Sequence, residues 1–152
     1  MVADAAFASR RTALFPRYDK AQPALELAAV HSHEQLIPGS FGILEPPPET
    51  PPTPLGELGA ALVVVPGVAF TRAGARLGRG GGHYDRLLAA LPHGAITIGL
   101  AYSFQLLDRI PQGRFDRTLD FIATESGVFR AGRTPQRPGA IAERGGTPGW
   151  ST

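Results

Sequence analysis

The sequence predicts an α/β domain in which a mainly parallel sheet is flanked by helices. Three observations predict this fold class. Apolar, strand-like runs occur at residues 61–65, 95–101 and 121–124. A stripe of apolar residues at helical spacing lies between the first two runs, and a glycine-rich stretch, residues 78–82, joins the first run to that stripe. Strands that alternate with helices along a chain form parallel sheets with right-handed crossovers.

The composition predicts one small domain. The chain has 152 residues, of which 43% are hydrophobic, enough for a single core and too few for two domains. Its 19 glycines and 15 prolines concentrate in the glycine-rich stretch, in residues 46–54 and after residue 130. We therefore predict an irregular N-terminus at residues 1–14, an α/β domain at residues 15–130 and a disordered tail at residues 131–152.

Charge and residue usage argue against several classes of protein. The net charge is only +2, with Lys20 as the one lysine, so the total does not predict nucleic-acid binding. A Gly/Arg module that binds RNA is the weakest hypothesis, because aromatic residues do not interleave with the arginines. Without cysteine there is no disulfide framework or thiolate metal site. The longest apolar stretch, residues 60–70, is too short to cross a bilayer, and no secretory signal is evident, so we expect a cytoplasmic protein. The sequence does not predict an oligomeric state.

Periodicity is weak before residue 60. Residues 25–30 alternate loosely, as a short strand would. Ser32 and Gln35 have the spacing of a capping box, which predicts a brief helical turn. Three prolines at residues 46–48 predict an extended surface connection. The dipeptide Thr53-Pro54 predicts the start of a short helix.

The signals are stronger after residue 60. Residues 61–65 form a continuous apolar run, which predicts a central strand covered on both faces. Residues 95–101 and 121–124 predict two further strands, with a short helix around residues 104–107 between them. The helix after the glycine-rich stretch is predicted by four residues at i, i+3, i+4 and i+7: Tyr84, Leu87, Leu88 and Leu91.

The glycine-rich stretch favours a phosphate site. Glycines let backbone N–H groups converge on an anion, the following helix contributes partial positive charge, and Arg76 and Arg79 add full charges. The spacing fits neither a P-loop nor a dinucleotide fingerprint. A flexible turn with solvated arginines is therefore the alternative hypothesis.

Carboxylates near this stretch suggest a magnesium site. Asp85 could hold the Mg²⁺ that accompanies a nucleotide, or it could only stabilise the helix start. Asp116 and Asp120 could supply a second carboxylate, although their spacing favours a solvated loop. Tyr84 begins the apolar stripe, and its ring could also lie against a flat ligand. The four histidines lie at spacings unsuited to zinc.

Several motifs then occur in one order over residues 15–128. The series begins with Gly39-Ser40-Phe41-Gly42-Ile43-Leu44-Glu45-Pro46. It continues with Pro66-Gly67-Val68-Ala69-Phe70, Gly74-x-Arg76-Leu77-Gly78-x-Gly80-x-Gly82-x-Tyr84-Asp85-Arg86 and Gly99-Leu100-Ala101-Tyr102 with Gln105, and it ends with Asp116-Arg117-Thr118-Leu119-Asp120. In this order the chain resembles the 5-formyltetrahydrofolate cyclo-ligases, also called methenyltetrahydrofolate synthetases.

The resemblance implies a fold and a reaction. The fold would be a mainly parallel sheet with flanking helices, in a NagB/RpiA/CoA-transferase-like three-layer arrangement that is N-terminally truncated here. The reaction would be the ATP- and Mg²⁺-dependent closure of 5-formyltetrahydrofolate to 5,10-methenyltetrahydrofolate, with release of ADP and phosphate. The implied partners are thus ATP, Mg²⁺ and 5-formyltetrahydrofolate, with no nucleic acid and no membrane.

The resemblance also implies roles for single residues. One continuous run would surround the nucleotide phosphates: Arg76, Leu77, Gly78, Arg79, Gly80, Gly81, Gly82, His83 and Tyr84. Within it, Arg79 and Tyr84 would be catalytic. Asp85 and Asp116 would hold Mg²⁺. The folate would lie against Phe41 and part of the same run: Arg79, Gly80, Gly81, Gly82 and His83.

The chain departs from the family pattern at several places. Thr71 stands where Asp is frequent, His83 where Tyr is usual, and Phe115 where a His commonly precedes the Asp. Family members also begin with a segment that carries a Lys and an Arg for ATP and a Glu for the formyl group, which residues 1–14 do not match. The chain is therefore expected to start late, to need a partner for this segment, or to be a truncated, non-catalytic nucleotide- or folate-binding remnant.

Overall fold

The computed structural model describes residues 2–9, 11–18 and 25–132. Its N-terminal part consists of one helix and two small antiparallel strand pairs. These elements are α1 (Val2–Ala8), β1 (Ala13–Arg17), β2 (Glu26–Val30), β3 (Ile37–Pro38) and β4 (Leu44–Glu45). β1 pairs with β2, and β3 pairs with β4.

The C-terminal part contains the main sheet. The elements are β5 (Leu62–Val65), β6 (Ala69–Phe70), β7 (Arg76–Leu77), α2 (His83–Ala90), β8 (Ile96–Leu100), β9 (Phe121–Thr124) and β10 (Gly127–Arg130). The strand order of the main sheet is β10-β9-β8-β5; β5, β8 and β9 are parallel, and β10 is antiparallel to β9. A small hairpin, β6 with β7, and helix α2 form the crossover from β5 to β8. The fold is thus α/β with a mixed sheet.

The core lies between the main sheet and α2. Tyr84 and Leu88 of α2 pack against a buried cluster formed by Val65, Phe70, Ala101, Leu119 and Ile122. Leu87 is also buried, so the structure confirms three of the four residues of the predicted apolar stripe, whereas Leu91 lies just beyond the end of α2. Gly99 makes room for the cluster, because a Cβ at this position would lie 2.7 Å from the Phe70 ring.

The expectation of a central, doubly covered strand at residues 61–65 is wrong for the described residues. Within the part of the chain that the structure describes, β5 pairs only with β8 and lies at an edge of the sheet. In the sheet register, Leu62 is paired with Ile96, and Ala123 is paired with both Leu100 and Val128. All of these side chains lie on the sheet face opposite the core. Leu62, Ile96, Leu100 and Val128 are 47% to 65% exposed. The apolar run was consistent with burial, but strand order depends on long-range pairing that a run of residues does not encode.

Other elements differ from the sequence predictions in smaller ways. Residues 2–8 form α1 in place of an irregular N-terminus, as its alanine-rich composition allows. The predicted helices near residues 54 and 104 are single 3₁₀ turns, at Leu55–Glu57 and Ser103–Gln105. The predicted surface prolines include Pro46, which is fully buried, because Arg17 donates hydrogen bonds to the carbonyls of Pro47 and Thr50 and holds this segment down.

Two further expectations concern the C-terminal tail and membrane-spanning helices. Residues 133–152 of the predicted tail, with Trp150, lie outside the described residues. In the described part of the chain, no helix has the length and apolar character needed to cross a membrane.

Candidate active site

The glycine-rich loop, residues 78–82, lies between β7 and α2. Gly80 and Gly82 have φ angles of 90° and 63°, in the left-handed region that favours glycine. Gly82 is the N-cap of α2, and its carbonyl accepts the N–H of Arg86. Arg79, Gly80 and Gly81 are exposed. The loop therefore presents backbone and an arginine to solvent at the positive end of a helix dipole.

Arg76 lies under this loop and is internal. Its guanidinium Nη2 is 2.8 Å from Asp85 Oδ1, its Nη1 is 3.4 Å from the Pro66 carbonyl, and its Cζ lies 5.7 Å from the centre of the Tyr84 ring. The side chain is only 5% exposed. A buried guanidinium is tolerated when it is paired, so Arg76 connects the turn after β5 to the first turn of α2. Its Nε is buried and has no hydrogen-bond partner among the described residues.

Arg86 is exposed, but its guanidinium is also engaged by the protein. Its Nη2 donates to the carbonyl of Gly81 at 2.9 Å and lies 3.1 Å from His83 Nδ1. Because a guanidinium can only donate, His83 Nδ1 is the acceptor, and a proton on the neutral ring belongs on Nε2. Arg86 therefore supports the glycine-rich loop from below.

Arg79 differs from these two arginines. It is exposed, and no described residue makes a hydrogen bond or ion pair with it. Of the three arginines at the loop, Arg79 is therefore the one whose charge is not engaged by another described residue.

Tyr84 lies between the loop and the core. Burial raises the pKa of its phenol above the usual value, and the charge of Arg76 acts in the opposite direction. The phenol is therefore protonated at neutral pH and can donate a hydrogen bond. Its ring contributes to the packing of the core cluster.

The two predicted magnesium ligands have different surroundings. Asp85 uses Oδ1 for Arg76, whereas its Oδ2 accepts no hydrogen bond from a described residue and the side chain is 21% exposed. Asp116 accepts the N–H of Gly113 at 2.8 Å and so closes its own turn. Asp120, the weaker alternative, accepts the N–H and hydroxyl of Thr97 and braces two strands.

The described residues contain no group of three or more His, Asp or Glu that could hold a metal. The donor set therefore fits only a Mg²⁺ that keeps phosphate oxygens and water as most of its ligands.

Phe41 lies in a 3₁₀ turn, Ser40–Gly42, on a segment that is tied to the loop. Glu45 of this segment is buried and accepts the backbone N–H of Tyr18 at 3.3 Å. The Tyr18 ring in turn contacts His83 edge-on, with centroids 4.9 Å apart. Sequence reasoning missed Tyr18, because an isolated aromatic residue between weakly patterned segments gives no signal.

Turns at the carboxyl ends of the parallel strands complete the site. The Gln105 side chain donates to the carbonyls of Gly67 and Val68, at 3.3 and 3.0 Å, and so joins the turn after β8 to the turn after β5. Hydrogen bonds from Ser103 hold the pKa of Glu125 below its usual value and join the same turn to the end of β9. A cleft lined by Phe7, Arg11, Thr12 and His31 shares no residue with this site.

The order of these elements matches a known family. The family model described as the 5-formyltetrahydrofolate cyclo-ligase family matches residues 1–125. The chain belongs to this family. As a member of the cyclo-ligase family, it is similar to the 5-formyltetrahydrofolate cyclo-ligase of Mycolicibacterium smegmatis, with 40% identity over 59% of this chain and 45% of the relative. It is 34% identical to the Escherichia coli K12 cyclo-ligase over 65% of this chain and 54% of the relative.

Solved structures show the same likeness. The 5,10-methenyltetrahydrofolate synthetase of Aquifex aeolicus has a TM-score of 0.69 and 31% identity, covering 93% of this chain and 69% of that one. The enzyme of the same name from Mycoplasma pneumoniae has a TM-score of 0.56 and 25% identity, covering 79% and 60%. The chain spans about half the length of the curated relatives it matches.

Proposed function

We propose that this chain carries out the cyclo-ligase reaction, in which 5-formyltetrahydrofolate and ATP give 5,10-methenyltetrahydrofolate, ADP and phosphate. Family membership supports the reaction class. The single observation that carries the site assignment is the exposed Arg79 on a glycine-rich loop at the N-terminus of α2, next to two arginines that are already engaged.

The chemistry of the proposed reaction requires activation of a poor leaving group. The formyl oxygen of the substrate attacks the γ-phosphorus, and the bond from that phosphorus to the ADP oxygen breaks. N10 of the folate then attacks the activated formyl carbon, loses its proton and expels phosphate. The protein has to align the γ-phosphate with the formyl oxygen and neutralise the charge that develops.

In this proposal the described residues have distinct tasks. Backbone N–H groups of residues 78–82 and the Arg79 side chain bind the phosphates, and the protonated Tyr84 phenol donates toward the reacting oxygen. Phe41 and the run from Arg79 to His83 border the folate. Asp85 Oδ2 and Asp116 hold Mg²⁺, which when bound neutralises phosphate charge. Arg76 contributes by holding Asp85 and the turn at Pro66.

The finer fold assignment is also part of the proposal. A NagB/RpiA/CoA-transferase-like three-layer arrangement requires cover on both sheet faces, and α2 covers one of them. The opposite face, with Leu62 and Val128 exposed, is where the third layer would pack. A cytoplasmic location remains our expectation for an enzyme of this class.

A second candidate is binding of nucleotide or folate without turnover. The chain spans 45% and 54% of the two curated relatives named above, so binding and turnover are tested separately. The same loop, Arg79 and Asp85 would bind ligand in either case, so the two candidates differ only in catalysis.

Ligand-induced stabilisation and product formation together test both candidates. ATP with Mg²⁺ should raise the melting temperature, since a ligand that binds only the native state stabilises it. Arg79→Ala and Asp85→Asn should each reduce that rise. Product can be followed by the near-ultraviolet absorbance of the methenyl compound. Binding with product supports the reaction, binding without product supports the second candidate, and a melt insensitive to both ATP and 5-formyltetrahydrofolate contradicts both.

A further inference from the structure

Two aromatic side chains are exposed at the carboxyl end of β8. The rings of Tyr102 and Phe104 are stacked, with centroids 5.6 Å apart and planes inclined by 9°. They are 64% and 80% exposed. Val68 and Leu107, 51% and 47% exposed, lie on the turns at the same edge of the sheet. Single exposed apolar residues need no explanation, but a group of them on one edge indicates a binding surface.

The turn that carries these rings is fixed at three points. The backbone N–H of Tyr102 donates to Gln105 Oε1 at 2.8 Å, and the Gln105 amide nitrogen donates to the turn after β5. The N–H of Ser103 donates to the Glu125 carboxylate after β9 at 2.9 and 3.1 Å. The aromatic pair is therefore held between the ends of both neighbouring parallel strands, and its exposure is built into the turn.

The position of the pair connects it to the glycine-rich loop. In open α/β sheets, ligands bind outside the carboxyl ends of the strands. Val68, whose carbonyl accepts from Gln105, donates its own N–H to the carbonyl of Leu77 at 2.8 Å, directly before Gly78. The aromatic pair and the loop therefore lie along one hydrogen-bonded path at the same edge.

We propose that Tyr102 and Phe104 form a stacking platform for a flat nitrogen heterocycle, the adenine of ATP or the pterin of the folate. This inference rests on the proposed function, which supplies both rings. Flat heterocycles stack on aromatic side chains with a substantial gain in affinity, and rings that are already stacked on each other and anchored lose little freedom when a third ring is added. The platform adds a site for the ring next to the glycine-rich loop. The ring of the ligand would stack on the platform, while its charged end would bind at the loop.

The test uses calorimetric titration of the full chain with three probes in Mg²⁺ buffer: ATP, inorganic tripolyphosphate and 5-formyltetrahydrofolate. ATP and tripolyphosphate share the phosphates, but only ATP has a ring. Tyr102→Ala and Phe104→Ala should each weaken ATP or folate binding at least about fivefold and leave tripolyphosphate unchanged. Tyr102→Phe and Phe104→Tyr keep a ring and should keep the affinity. Val128→Ala, exposed on β10, is the control for loss of an apolar surface residue.

Each outcome decides the proposal. Weaker binding of ATP alone identifies adenine as the ring, and weaker binding of the folate alone identifies the pterin. Unchanged affinity for both in the alanine variants overturns the platform and leaves the proposed function standing. A parallel loss of tripolyphosphate binding also overturns it, because the variants would then act through the loop. If the parent chain binds neither ATP nor folate, the proposed function and the platform fail together.

Discussion

Arg76 and Asp85 form an ion pair that is largely enclosed, with Nη2 2.8 Å from Oδ1 and side-chain exposures of 5% and 21%. The pair joins β7 to the first turn of α2, directly beneath the glycine-rich loop. Arg76 therefore supports the structure beneath the loop, whereas Arg79 is exposed on the loop. Stability and ligand binding can therefore be tested with different variants.

Arg76→Ala should lower the free energy of unfolding by about 2 kcal/mol, since it leaves Asp85 without its partner and opens a space beside Tyr84. This loss is smaller than that expected for a fully buried ion pair, because Asp85 is partly exposed. The free energy of unfolding is measured by urea denaturation. Arg79→Ala is the control and should change stability by less than about 0.5 kcal/mol while weakening ATP binding. An equal loss of stability in the two variants would contradict the view that Arg76 supports the fold and Arg79 does not.

Gly99→Ala should destabilise the core. A Cβ on Gly99 would lie 2.7 Å from the Phe70 ring and 2.9 Å from side-chain atoms of Ile122 and Leu119. Overpacking of this kind costs about 1–3 kcal/mol, which thermal unfolding detects as a drop of several degrees. Gly59→Ala is a matched control, because a Cβ there meets nothing within 4 Å. If the Gly99→Ala protein were as stable as the Gly59→Ala protein, the core around Gly99 would have to be less tightly packed than in the structure.

Stability should fall at alkaline pH through Tyr84. Burial raises the pKa of Tyr84 in the folded state above the value near 10 of an unfolded chain. The folded state thus favours the protonated phenol, and its contribution is complete below about pH 10 and is lost as the pH rises through the folded-state pKa. Unfolding free energies measured from pH 8 to 11 should show this slope. Tyr84→Phe should flatten the slope, whereas Tyr102→Phe, at an exposed position, should leave it in place.

The sheet face opposite α2 should bind apolar dye. Leu62, Ile96, Leu100 and Val128 are exposed together on this face, and contiguous apolar surface in water binds such probes. Leu62→Lys should lower dye fluorescence with less than about 1 kcal/mol change in stability.

Val65→Ala is the contrasting variant on the same strand. Val65 is fully buried on the core face, and its truncation should cost about 2 kcal/mol. If Leu62→Lys destabilised the chain as much as Val65→Ala, Leu62 would have to be covered in solution.

Much of the local structure of the candidate site was predictable because its residues are consecutive. Residues 76–85 lie in one stretch, so the loop, the start of α2 and the position of Asp85 follow from local preferences of glycine and from helix spacing. The engagement of Arg76 and Arg86 was not predictable, since it depends on the Pro66 carbonyl and on how the loop folds back. The same holds for Tyr18, which reaches His83 from another part of the chain.

By itself, the sequence determined the fold class, the family and the crossover with its glycine-rich loop, because strand runs, helix stripes and turn residues express local physical preferences. For the described residues, only the tertiary structure decided which strand is at the edge, which sheet face is exposed, and which of the loop arginines has no partner. These properties depend on pairing between residues far apart in the chain. A run such as residues 61–65 is equally compatible with a central strand and with the edge strand β5, and the difference lies in its neighbours.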